Sequence, residues 1–163
     1  MKKHLLAAAI VALAAGSAMA QANDTLAKIK GSGSVTLGVR ESSGLSYTLG
    51  NGKYVGFHTE MGERILDDIQ KQLGLAKLDV KYQPVTSQNR IPLVTNGTVD
   101  LECGSTTNNA ARQKDVAFAV TTYVEEVRMA VKANSGINSI TDLKGRTVAT
   151  TTGTTSVQTL RKN

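Results

Sequence analysis

Apolar positions recur along this chain with two periods. Between residues 60 and 73, Met61, Ile65, Ile69 and Leu73 fall at i, i+4, i+8 and i+12, which predicts an amphipathic helix. Glu60 and Glu63 occupy its first turn, where negative charge suits the helix dipole, and Gly74 ends it. Other segments are β-branched and alternate between apolar and polar. Residues 34–40 read as the first strand, 78–84 as the next and 99–103 as a third. A longer strand is expected at 124–132, and another at 146–150. Residues 54–57 form a short strand after a loop-rich stretch whose Asn51-Gly52 is a hairpin signal. Short helices are expected at 25–30, at 91–95 ahead of Asn96-Gly97, from 108 to 114, at 139–144, and from 157 to Asn163. Strands alternating with helices predict an α/β fold with a mainly parallel sheet.

The first twenty residues carry a different pattern. Met1-Lys2-Lys3-His4 precedes an apolar run from Leu5 to Ala15, and Gly16-Ser17-Ala18-Met19-Ala20 follows. A basic start, a short apolar core and an Ala-x-Ala site form a secretory leader, cut after Ala20. The apolar run is about half the length that spans a bilayer. A soluble periplasmic product is expected. Cys103 then faces an oxidising compartment with no second cysteine in this sequence to pair with.

Composition narrows the classes. Of 163 residues, 40% are hydrophobic and 20% charged, too apolar for a disordered chain. One cysteine and two histidines make neither a disulfide scaffold nor a His-rich metal site, and no metal or cofactor is expected. The net charge of +6 invites a nucleic-acid reading. The lysines are scattered, however, and aromatic residues for stacking are few, so no such partner is expected.

Ligands of parallel α/β sheets bind beyond the carboxyl ends of the strands. Arg40 ends the first strand here. Thr86-Ser87-Gln88-Asn89-Arg90 follows the second, and Gly104-Ser105-Thr106-Thr107 the third, with Arg112 shortly after. Thr151-Thr152-Gly153-Thr154-Thr155-Ser156 follows the strand at 146–150. A single Ser or Thr at such a place reads first as a helix cap. Three arginines with hydroxyls at one edge read as a cradle for a ligand bearing two carboxylates, because guanidinium forks bind carboxylates in a bidentate way. No phosphate-binding glycine motif is present.

Four segments carry a family resemblance: Val39-Arg40-Glu41-Ser42-Ser43, Thr86 through Leu93, Asn96 through Asn109, and Asp142 through Ser156. On them the chain resembles the extracellular solute-binding proteins of amino-acid ABC transporters, family 3, in the branch for glutamate and aspartate. The resemblance implies a periplasmic-binding-protein-like type II fold of two lobes. The first lobe would run over 21–121, and 122–163 would begin a second lobe that is incomplete here. A whole protein of about 280–300 residues is expected.

It also implies roles. Arg112, Thr107 and Thr155 would hold the ligand α-carboxylate, and Ser105 would face the α-amino group. Arg40, Ser87 and Arg90 would hold the side-chain carboxylate, and Thr154 would stand beside Thr155. A monomer that hands its ligand to a membrane permease, without catalysis, is expected. The sequence departs from the family at Gly56-Phe57-His58, at Gly44-Leu45-Ser46-Tyr47 and at Ala111. Two other roles fit the same fold: a dehydratase-like periplasmic enzyme, and the sensor lobe of a receptor. An enzyme needs a placed acid or base. Glu102 reads instead as a strand residue, and His58 as a surface or capping residue.

Overall fold

The computed structural model describes residues 24–42 and 44–162. The expected leader lies outside the described residues. Helix α1 (Thr25–Ser32) is capped by the Asp24 carboxylate, which accepts from the Ala27 amide, and it ends at Gly33. Strand β1 (Ser34–Val39) follows. The loop expected at 41–53 contains more structure than its composition suggested. Strands β2 (Tyr47–Gly50) and β3 (Lys53–Val55) form an antiparallel hairpin. Asn51 and Gly52 take φ of 56° and 72°, the left-handed pair that a two-residue hairpin turn requires. Helix α2 (Phe57–Gln72), β4 (Asp79–Pro84), α3 (Arg90–Thr95) and the short β5 (Leu101–Glu102) complete the first unit.

The main sheet is parallel in the order β4-β1-β5. Central β1 is the most buried strand, with Val35, Leu37 and Val39 at 1% exposure or less. Ile29 of α1, Leu66 of α2 and Leu78 close the core around it. Each such side chain contributes about 1.5–3 kcal/mol by leaving water. Asp100 ties this unit together from below β5. One carboxylate oxygen accepts from the Lys28 ammonium at 2.7 Å, and the other from the Thr36 amide at 2.9 Å.

Two expectations change. The apolar stripe of α2 meets the core only toward its C-terminal end, where Ile69 and Leu73 pack against it. His58, Thr59, Gly62 and Leu66 are buried, whereas Ile65 is 37% exposed. The helix is turned so that the small Gly62 meets Leu37, while Met61 and Ile65 face a cavity beside the sheet. Second, no strand forms at 124–132 or 146–150. Both segments have the β-branched composition of strands, but no described segment lies alongside to complete a ladder. Strand structure requires that neighbour. Val120, Val124 and Val127 are accordingly 85%, 86% and 63% exposed. The helices expected at 108–114 and 139–144 are the 3₁₀ turns Arg112–Lys114 and Ile140–Leu143, the latter closed by a Ser139–Asp142 capping box. Helix α4 (Thr155–Lys162) is the last described element.

Candidate functional site

Because β1, β4 and β5 run parallel, their carboxyl ends share one edge. Arg40 follows β1 directly. After β4, the Thr86 amide donates to the Asn89 side chain at 2.7 Å, and the Asn89 amide donates to the Thr86 hydroxyl at 3.2 Å. This reciprocal turn starts α3 at Arg90. After β5 comes the loop with Ser105 and Thr107, and Arg112 opens the 3₁₀ turn beyond it.

The edge is built around charge. Arg90 is 2% exposed and Ser87 5%. The Arg90 Nε and Nη1 and the Ser87 hydroxyl are buried without a hydrogen-bond partner among the described residues. Burial pushes the Arg90 guanidinium down to about 10; Glu102 opposes that shift, and the like charges of Arg112 and Arg40 add to it. Arg40 Nη1 donates to the Ser105 hydroxyl at 2.6 Å. Arg112 donates from Nη1 to the Thr107 carbonyl and from Nη2 to the Gly153 carbonyl, both at 2.9 Å. Burial also lowers the Arg112 pKa, and Glu102 opposes this.

The 151–156 loop reaches this edge from a distant part of the chain. Gly153 has φ 77°, and a Cβ there would lie 2.5 Å from the Ser87 carbonyl oxygen and 2.6 Å from Gln88 Cα. Only glycine permits so close an approach. Thus Arg40, Ser87, Arg90, Ser105, Thr107 and Arg112 gather at one edge, with Gly153 against it. Thr154 and Thr155 are less closely joined to it. The Thr154 hydroxyl donates to the Thr151 carbonyl at 2.7 Å within its own loop, and Thr155 is the first residue of α4.

Two residues stand differently from expectation. His58 is 3% exposed rather than at the surface. The close turn at Gly56 brings the His58 amide onto the Leu45 carbonyl at 2.9 Å, which carries the ring inward. Burial lowers its pKa, against the opposing pull of Glu102 and Glu125. Glu102 is more than a strand residue, because its charge favours the charged form of the buried Arg90 and of the half-buried Arg112. Its signal in the sequence was a charge at the carboxyl end of a half-buried strand. Beside the edge lies a cavity of about 400 Å³, bordered by Met61, Arg90, Glu102, Ser105 and the 116–125 segment. Among the described residues, no three His, Cys, Asp or Glu side chains are grouped to hold a metal ion. The site offers hydrogen-bond donors and positive charge.

This arrangement has known relatives. The pattern of the bacterial extracellular solute-binding proteins, family 3, matches residues 35–163. The chain belongs to this family. Among family members, it is 45% identical over 161 residues to the L-glutamate/L-aspartate-binding protein of Pseudomonas aeruginosa, covering 96% of this chain and 53% of that protein. It is 44% identical over 164 residues to the glutamate/aspartate import solute-binding protein of Escherichia coli K12, covering 96% and 54%. The chain spans about half the length of the curated relatives it matches. The solved structure of an ancestral arginine-binding protein bound to arginine aligns at a TM-score of 0.61 and 28% identity, over 80% of this chain and 55% of that one. A histidine-bound substrate-binding protein of a Streptococcus pneumoniae ABC uptake transporter aligns at 0.65 and 21% identity, over 86% and 55%, a likeness of fold. The α/β architecture is the type II fold of these periplasmic binding proteins.

Proposed function

We propose that the protein is the periplasmic solute-binding component of an ABC importer for glutamate and aspartate, and that it binds without catalysis. The observation that carries this reading is the buried arginine edge, with unpaired donors on Arg90 and Ser87. A buried guanidinium without partners is costly, and an incoming carboxylate supplies the missing acceptors and charge. Three arginines provide for two carboxylates. In this reading Arg40, Ser87 and Arg90 hold the side-chain carboxylate, while Arg112, Thr107 and Thr155 hold the α-carboxylate. Ser105 faces the α-amino group, and Thr154 stands beside Thr155. Residues 21–121 form the first lobe and 122–163 begin the second. The two lobes close on the ligand about a hinge, and the monomer docks on a membrane permease. The leader is removed after Ala20. The relatives named for glutamate and aspartate support the substrate class.

Calorimetric titration of the whole gene product with L-glutamate and L-aspartate tests the reading. One saturable site is expected, with the ligand recovered unchanged by chromatography. Arg112→Ala should weaken binding about ten- to hundredfold, the worth of a charged hydrogen bond. Unchanged affinity in that variant would remove Arg112 from the site.

A further inference from the structure

Two Asn-Gly pairs lie at exposed turns, Asn51-Gly52 and Asn96-Gly97. Such a pair carries a reaction of its own. The glycine amide nitrogen, with no side chain to shield it, attacks the asparagine Cγ. A C–N bond closes a succinimide ring, the Cγ–Nδ2 bond breaks, and ammonia leaves with the amide proton. Water then opens the ring at either carbonyl and gives aspartate or isoaspartate. The attack needs a free glycine amide, a free side chain and a turn that can open.

The structure treats the two pairs differently. At Asn96 each of these groups is held. The Gly97 amide donates to the Val94 carbonyl at 3.1 Å, Asn96 Oδ1 accepts from the Thr98 amide at 3.0 Å, and the Gly97 carbonyl accepts from Lys28 Nζ at 2.9 Å. At the hairpin tip neither the Gly52 amide nor the Asn51 side chain has a hydrogen-bond partner among the described residues. Asn51 is also the one non-glycine residue with positive φ among the described residues, at 56°. Strand β2 beside it is exposed at all four positions, so little packing resists opening of the turn.

We infer that Asn51 is a site of spontaneous deamidation, and that Asn96 is protected by its hydrogen bonds. The effect depends on the product. Aspartate keeps the backbone that the turn needs. Isoaspartate routes the main chain through Cβ and Cγ and so lengthens it. The Gly50–Lys53 pair that closes the hairpin then loses its two-residue turn. Both products replace a neutral amide by a carboxylate next to Lys53.

The test is peptide mapping of the whole gene product aged in mildly alkaline buffer. Trypsin separates residues 41–53, in which Asn51 is the one asparagine, from residues 91–112, which carry Asn96. Fragmentation spectra locate each conversion and distinguish isoaspartate from aspartate. Conversion at Asn51 should outrun that at Asn96 about tenfold, the factor that two intact hydrogen bonds impose. In urea, where neither turn persists, the two rates should converge. Folded-state rates that agree within about twofold, or a faster Asn96, overturn the inference. So does a folded Asn51 slowed, relative to urea, as much as Asn96 is, because the hairpin would then protect it equally. A tenfold ratio that persists in urea overturns it too, since the following residues, Lys53 and Thr98, would then set the rates.

Discussion

Gly153→Ala probes the junction between the 151–156 loop and the arginine edge with a single methyl group. Two costs can be worked from the structure. At φ 77° a residue with a Cβ is strained, by about 1–2 kcal/mol. The added carbon would meet the Ser87 carbonyl oxygen at 2.5 Å and Gln88 Cα at 2.6 Å. Both obstacles are backbone, so no rotamer change relieves the clash, and overpacking of this kind costs about 1–3 kcal/mol. The loop is expected to yield before the sheet does, because the core is built from α1, α2 and β1 and lies elsewhere. As the loop moves away, the Gly153 carbonyl leaves Arg112 Nη2, a charged hydrogen bond worth about 1.5–3 kcal/mol. If about 2–4 kcal/mol of this total falls on the ligand-ready arrangement, L-glutamate affinity drops roughly thirty- to a thousandfold. Calorimetric titration measures the affinity, and urea unfolding should show that the first unit keeps its stability. Wild-type affinity in a folded Gly153→Ala variant would refute the close approach of the loop to the Ser87 turn.

The first unit offers two further tests. Asp100→Ala removes the acceptor for the Thr36 amide and for Lys28. With the Asp100 side chain only 4% exposed, urea unfolding should show a loss of about 2–4 kcal/mol; a loss under 0.5 kcal/mol would deny it a structural role. His58 governs a pH dependence. Burial lowers its folded pKa below the ordinary 6.5, so the unfolded chain takes up this proton first as the pH falls. The His58 contribution is fully present above about pH 6.5 and is lost as the pH drops toward the folded value. Melting curves of His58→Gln should therefore decline less between pH 7 and pH 5 than those of the wild type. Parallel declines would place the proton uptake elsewhere.

The arginine edge was legible in the sequence because each of its residues follows a strand. Once the strands at 34–40, 78–84 and 99–103 are recognised and taken as parallel, Arg40, Ser87, Arg90 and Ser105 must gather at their carboxyl ends. That inference needs only local β-propensity and the geometry of parallel pairing. Glu102 was not legible as a site residue. Its neighbours in sequence are a strand, and Arg90 is brought to the same cavity only by the order β4-β1-β5.

The buried face of α2 shows the same limit. Of the apolar stripe, Ile69 and Leu73 pack against the core, but Met61 and Ile65 face the cavity, and the helix buries His58, Thr59, Gly62 and Leu66 more deeply. Periodicity registers where apolar side chains lie on a helix. Which side meets the sheet depends on steric fit, and Gly62 admits Leu37 where a larger residue would not. The segments at 124–132 and 146–150 mark the other side of that boundary. Their β-branched residues specify an extended backbone, but a strand exists only when a second segment completes its hydrogen bonds, and none among the described residues does. Local sequence thus determined the helix, the hairpin turn, the parallel strands and the charged edge they carry. Tertiary structure decided which charges are buried, the inward turn of His58 and the contact of Gly153 with the Ser87 turn. Those outcomes depend on distances between residues far apart in the chain, and no local pattern encodes them.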